Sequence, residues 1–202
     1  QEQIAILGKK TEGWVSGLQL AALSLRGQDD VDRFVRSFAG SHRFILDYLM
    51  EEVFNNKPPQ VREFLLKTAV LEQFNASLCA AMFASGTINV SYCQAISEQL
   101  EQSNLFTIPL DESREWFRYH HLFAEVLQAL LKRDHSDEVA ALHLKAAAWF
   151  EDQGYAGEAV DHALRSGSFA QAKPLILKHW GPVFRRGEVA TVLRWLDALP
   201  EQ

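Results

Sequence analysis

Leu105-Phe-Thr-Ile-Pro-Leu110, Asp111-Glu-Ser113 and Arg114-Glu-Trp-Phe-Arg-Tyr119 read as two short strands around a polar turn, and His120-His121-Leu122-Phe123 follow at once as the opening of a helix. Aromatic and β-branched residues fill both strand segments. Helical segments precede the hairpin, and three helices, a hairpin and a further helix in that order make a winged helix domain. The alternative is an isolated hairpin packed on helices. Either way, His120 and His121 stand where the hairpin hands over to a helix N-terminus. Such ends attract anions, and an imidazole there can add a hydrogen bond to a phosphate.

Working upstream, the pattern is helical. Gln1 to Lys10 is a short lead-in, and Thr11-Glu12 is a start signal for a helix from Gly13 to Leu25. Trp14, Leu18, Ala21, Ala22 and Leu25 give that helix one apolar face. Asp29-Asp30 start a segment with Val31, Phe34, Val35 and Phe38 on one side, and Gly40-Ser41-His42 break the chain before a helix from Arg43 to Phe54. Pro58-Pro59 open another with Val61, Phe64, Leu65 and Leu71, in the one helical position where a missing amide costs nothing. Asn75-Ala-Ser lead into Leu78 to Ala84, closed by Ser85-Gly86. Asn89 caps a helix through about Gln102 whose inner face is Cys93, Ile96 and Leu100.

Downstream of the helix from His121 to Lys132 the texture changes to alanine-rich helices separated by glycine. These are Glu138 to Gln153, Gly157 to Ser166, Ser168 to Trp180 and Glu188 to Leu199, with Gly154, Gly167 and Gly187 between them. In Ala147-Ala-Trp149-Phe-Glu-Asp-Gln-Gly154-Tyr-Ala-Gly-Glu-Ala159 a bulky face, a turn glycine and a small residue resemble a tetratricopeptide-like helical pair. Gly167-Ser-Phe169-Ala-Gln-Ala172 repeats the order. The expected fold is mainly α: the end of a helical domain over 1–55, a winged helix over 56–133, and an arm with the start of a helical-repeat array over 134–202.

A chain of 202 residues, 48% of them hydrophobic, has ample material for a core. The formal net charge of -6 argues against a broad nucleic-acid face. Within the winged helix, the helix from Asn89 to Gln102 carries Glu98 and Glu101 and no Lys or Arg, so it would repel a phosphate backbone. Cys79 and Cys93 have neither a metal-like spacing nor the density of a disulfide scaffold, and read as small core residues in a reducing, cytoplasmic setting. No apolar run reaches the length of a membrane span. Both ends look like cuts in a longer protein.

His120 and His121 could bind phosphate, ligate a metal or exchange protons. A metal needs further ligands, and His42, His135, His143, His162 and His179 are scattered without a metal-like spacing, so no metal is expected. In a purely structural role, one imidazole would be hydrogen-bonded in the interior and the other solvated. Asp111-Glu112 and Asp29-Asp30 fall at a turn and at a helix start, where carboxylates stabilise amide-rich ends. The sequence contains no G-x-x-x-x-G-K-[ST], G-x-G-x-x-G or G-x-S-x-G, so neither a phosphate cradle nor a nucleophile elbow is present and no enzymatic activity is expected of it. On the last helix Val189, Val192, Leu193, Trp195, Leu196 and Leu199 cluster toward one side, mostly as core.

Five separated blocks carry a resemblance. Gly13-Trp-Val-Ser-Gly17-Leu-Gln-Leu20, Gly40-Ser-His-Arg-Phe-Ile-Leu-Asp-Tyr-Leu49, Ser103-Asn-Leu-Phe106, Arg118-Tyr-His-His-Leu-Phe-Ala124 and Leu193-Arg-Trp-Leu-Asp-Ala-Leu-Pro200 together resemble the ATP-dependent LuxR-type transcriptional regulators of the MalT-like group. These are similar to the STAND ATPases. The resemblance implies a nucleotide-binding domain with a P-loop upstream, an inducer-binding helical-repeat sensor, a C-terminal helix-turn-helix as the DNA contact, and self-association on activation. ATP or ADP is then the cofactor of the full-length protein, with none held tightly by this part. It also implies that a histidine at the start of a winged-helix-domain helix contacts the β-phosphate of ADP. His120 matches that place best, His121 falls where many relatives have Asp, and either of the two could face the phosphate. Gly17-Leu-Gln19 stands where STAND helical domains often carry Gly-x-Pro near the adenine, with Gln19 in place of the proline.

The function expected from these observations is a switch and relay segment of an inducer-responsive transcription activator. The alternatives are a helical-repeat interaction scaffold without nucleotide binding and a free-standing DNA-binding winged helix.

Overall fold

The computed structural model describes residues 2–25, 34–35, 38, 43–83, 88–103 and 106–199. The segment starts expected at Asp29-Asp30 and Val31, the Gly40-Ser41-His42 break, the Ser85-Gly86 closure and the strand residue Leu105 lie outside the described residues. The chain divides into two compact units, residues 1–75 with 94–133 and residues 76–93 with 134–202.

The first unit begins with α1 (Glu2–Lys10) and α2 (Val15–Leu25). The second helix starts two residues later than the sequence suggests because Glu12 and Gly13 have positive φ, 46° and 80°, and form the turn between the two. Of the expected inner face Ala21 is buried, Trp14, Leu18 and Leu25 are half-buried and Ala22 is exposed, and Gly17 and Ser24 are buried in addition. The helix thus buries its small residues most fully. Next comes α3 (Arg43–Tyr48), which loosens into a π-helical turn over Leu49–Phe54. Then α4 (Pro59–Thr68) starts on a proline and buries Phe64, Leu65 and Thr68.

The hairpin consists of β1 (Thr107–Pro109) and β2 (Phe117–Tyr119), antiparallel with Ile108 opposite Arg118. It is not isolated. Phe74 and Phe117 exchange both backbone hydrogen bonds at 2.8 Å, which adds a one-residue third strand. Phe74 also lies against Tyr119, ring centroids 4.7 Å apart. The Thr68 hydroxyl donates to Phe64 O at 2.7 Å, so the Tyr119 hydroxyl at 2.7 Å is the donor to Thr68 Oγ1 and ties β2 to α4. Asp111 organises the turn: its carboxylate accepts from the Ser113 hydroxyl at 2.7 Å and from the Glu115 and Trp116 amides at 3.0 and 2.7 Å. These bonds hold its pKa below the usual carboxylate range. The unit closes with α7 (His121–Asp134), whose stripe Leu122, Phe123, Val126, Leu127, Leu130 and Leu131 is entirely buried.

Between α4 and β1 lie α5 (Ala76–Ala81) and α6 (Val90–Gln102). Asn89 caps α6 as expected, its Oδ1 accepting the Tyr92 amide at 2.8 Å, and Cys93, Ile96 and Leu100 are buried. Helices α4, α5 and α6, the hairpin and α7 follow one another in winged-helix order.

The second unit is built of α5, the start of α6, and α8 (Ser136–Asp152), α9 (Ala156–Arg165), α10 (Phe169–Arg185) and α11 (Val189–Asp197). Consecutive helices pack on each other, and α5 packs on α8, where Trp149 Nε1 donates to Ser77 Oγ at 3.1 Å and Lys145 Nζ to Met82 O at 2.8 Å. Gly154, Gly167 and Gly187 have φ of 82°, 73° and 85°. Each ends a helix: Gly154 N donates to Glu151 O and Tyr155 N to Phe150 O, and the pattern recurs from Gly187 to Phe184 and from Glu188 to Val183. Two things differ from the sequence reading. Helix α10 runs five residues beyond Trp180, through Pro182, because Val183 joins Ile176, Val160, Val192 and Trp195 in one core. In α11, Val192 and Trp195 are buried, but Val189, Leu193 and Leu196 are exposed.

Candidate functional site

The histidine pair is placed by the end of β2. The His120 amide donates to Phe106 O at 2.6 Å, and its carbonyl accepts the Ala124 amide at 2.9 Å, which makes it the residue that opens α7. Its side chain completes the cap: Nδ1 accepts the Leu122 amide at 3.3 Å. The ring proton is therefore on Nε2, which donates to Thr11 O at 2.8 Å. His120 is 5% exposed. Burial lowers its pKa, and although the Thr11 carbonyl and the Glu12 charge act in the opposite direction, the imidazole stays below its ordinary value.

His121, one residue on, is far more open and stacks on His120 with ring centroids 4.8 Å apart. Its Nδ1 is 2.9 Å from Glu12 Oε1. The same carboxylate accepts from Arg118 Nη1 at 3.2 Å and Nη2 at 3.0 Å. Burial pushes the Glu12 carboxyl up, but the Arg118 and His121 hydrogen bonds outweigh it and leave its pKa below the usual range. Thr11 and Glu12, in the α1–α2 turn, thus latch onto the β2–α7 junction through a buried bond to His120 and an exposed ion-pair cluster.

Beside the latch is a cleft of about 580 Å³ lined by residues that include Glu12, Trp14, Tyr48, Glu52, Phe106 and His120. Trp14 meets Phe106 edge-on at 5.0 Å, lies 5.5 Å from Tyr48 and 6.3 Å from His120. Glu12 and Phe106 both have positive φ, 46° and 56°, conformations that side-chain-bearing residues hold only when their surroundings impose them.

Of the residues singled out in the sequence, His120 and His121 come together, and only His120 lines the cleft. Gly17 is buried under Trp14, where a Cβ would stand 2.2 Å from the indole, so its observed role is to let the ring lie flat against α2. Gln19 is exposed and does not line the cleft. Sequence reasoning missed Glu12, which it read only as part of a helix start. The scattered-histidine argument also missed a second pair: His143 Nδ1 and His162 Nδ1 lie 3.0 Å apart, both buried. Burial, then the neighbouring His143 and Arg165, lower His162 to about 3. The available signal was that each occupies an inward position of its helix.

A nucleotide phosphate does not fit the latch as it stands. Both ring nitrogens of His120 are engaged within the protein, Arg118 and His121 are held by Glu12, and Glu12 and Glu52 put two carboxylates in the cleft. A phosphate there would meet negative charge before any available donor.

The architecture and the histidine-capped α7 define the class, a winged helix module followed by stacked helices. Residues 50–139 match the family model of the MalT winged helix domain. Over most of its length the chain is similar to larger proteins: it is 36% identical over 197 residues to the serine/threonine-protein kinase PknK of Mycobacterium tuberculosis, covering 98% of this chain and 17% of that protein. It is 37% identical over 191 residues to the HTH-type transcriptional regulator MalT of Cronobacter sakazakii, covering 93% of the chain and 20% of that protein. For MalT of Yersinia pestis the figures are 35% over 193 residues, 95% and 21%. Residues 50–139 are therefore similar to a MalT winged helix, and the likeness to these larger proteins runs along most of the chain. It spans about a fifth of the length of the curated relatives it matches.

Proposed function

We propose that the chain is the switch and relay segment of an inducer-responsive, ATP-dependent LuxR-type transcription activator of the cytoplasm. It would couple nucleotide state to a helical-repeat sensor and to self-association. The observation that supports this reading is the latch of Thr11 and Glu12 on the β2–α7 junction. It joins two sequence-distant elements by few and partly exposed bonds. An ion pair of this exposure is worth up to about 1 kcal/mol, small enough for a ligand with a tenfold affinity difference between two states to overturn it. Nucleotide would be held by an upstream domain, inducer by the helical pairs and DNA by a helix-turn-helix farther along the protein. The chain itself is proposed to carry no catalytic group.

In the intact regulator, Glu12→Gln combined with His121→Ala is expected to raise transcription without inducer severalfold. A transcription assay with and without inducer reads this, with protein level and melting temperature measured alongside. Unchanged basal and induced transcription in a folded double variant overturns the reading. A helical interaction scaffold without nucleotide is the second reading, favoured by the engaged state of His120. Nucleotide binding by the intact protein separates the two.

A further inference from the structure

We propose that Glu12, His120 and His121 form a binding site for one transition-metal dication of the zinc type. One ligand atom from each of these three side chains lies within 4.8 Å of the others, an arrangement that occurs once among the described residues. Two imidazoles and a carboxylate are a donor set of open zinc sites, in which the fourth position is left to water or a substrate. Glu12 and His120 both line the cleft, which supplies that open side. Calcium and magnesium favour all-oxygen sets and are disfavoured by two imidazoles.

One of the three donor spacings is already near what a metal requires. Metal–ligand bonds of about 2.0–2.2 Å set tetrahedral donors about 3.3 Å apart. His121 Nδ1 and Glu12 Oε1, now 2.9 Å apart, need to open only slightly, and the side chains must close the wider gaps. One outer partner is already in place, the Thr11 carbonyl that accepts from His120 Nε2, and a metal taken by Nδ1 displaces the Leu122 amide, which stands at 3.3 Å. The opposing factor is Arg118, whose charge competes for the Glu12 carboxylate. The inference concerns these three side chains alone and stands or falls independently of the regulator reading.

The test is calorimetric titration of the chelator-stripped full chain with zinc chloride, with cobalt chloride titrated in parallel and its visible d–d absorption recorded. One zinc per chain at micromolar affinity or tighter is expected, with the intense cobalt band of a four-coordinate site. Glu12→Gln and His121→Ala alter partly exposed side chains and should each weaken zinc tenfold or more while the apo protein still melts cooperatively. Arg118→Ala removes the competing charge and should tighten binding. Absence of stoichiometric binding overturns the proposal, as does binding undiminished in both ligand variants, which would assign the metal to other histidines.

Discussion

His120 and His121 adjoin in the sequence yet stand in different surroundings, one buried against a carbonyl and the other half open against a carboxylate. His143 and His162 are 19 residues apart in the sequence, and the second unit buries them against each other. Phe150 stacks on His162 at 5.3 Å, closing one ring face to water. The difference lies in the compensation. Glu12 offsets part of the burial that opposes a charged His120, whereas His143 and Arg165 add to the burial that opposes a charged His162. Of the two buried rings, His162 is the one driven far below its ordinary value.

Acid is the strongest way to break that contrast. Because His162 is lowered to about 3 from an ordinary 6.5, the unfolded chain binds the proton more readily. The stability held by the neutral pair is fully present above pH 6.5 and is lost as pH falls toward 3, on the order of a few kcal/mol by the linkage of 1.36 kcal/mol per unit. Thermal melts across that range should show a steep acid limb that flattens in His162→Leu. An equal limb in the variant would assign the acid sensitivity elsewhere.

Gly17→Ala comes next. Its Cβ would stand 2.2 Å from Trp14, so the indole must leave its place against His120 and Phe106. Overpacking of this kind costs about 1–3 kcal/mol. Denaturant melts should record that loss together with a change in Trp14 fluorescence. The smallest effect is expected of Glu12→Gln, which unties Arg118 and His121 for about 1 kcal/mol or less. Rising salt should erase the difference from the parent chain, whereas a salt-independent difference would mean that the carboxylate acts through packing.

The hairpin was legible because its signals are local: the aromatic strand residues, the Asp111 turn and the helix start after Tyr119 lie within one short stretch. So were the Asn89 cap and the Gly154, Gly167 and Gly187 turns, since a cap or a left-handed glycine depends on residues a few positions away. Less was legible where packing overrode propensity. Trp14 to Leu25 carries enough apolar residues to suggest one face, but beside the expected Ala21 the fold buries Gly17 and Ser24, and Gly17 is needed because the indole lies against the helix there. Helix α10 passes through Pro182 for a similar reason: the burial of Val183 beside Ile176 and Trp195 outweighs the lost amide bond. The candidate site was half visible. His120 and His121 announce themselves, while Glu12 is separated from His121 by 109 positions.

By itself the sequence determined the helix-rich class, the winged-helix order, the Asn89 cap, the glycine turns and the histidine pair at the head of α7, all of which follow from short-range periodicity and capping. Only the tertiary structure decided that Glu12 meets Arg118 and His121, that His120 turns inward to Thr11, and that His143 finds His162. Hydrogen bonding, charge pairing and desolvation act over a few ångströms of space, and the chain must be folded before residues a hundred positions apart fall within that range.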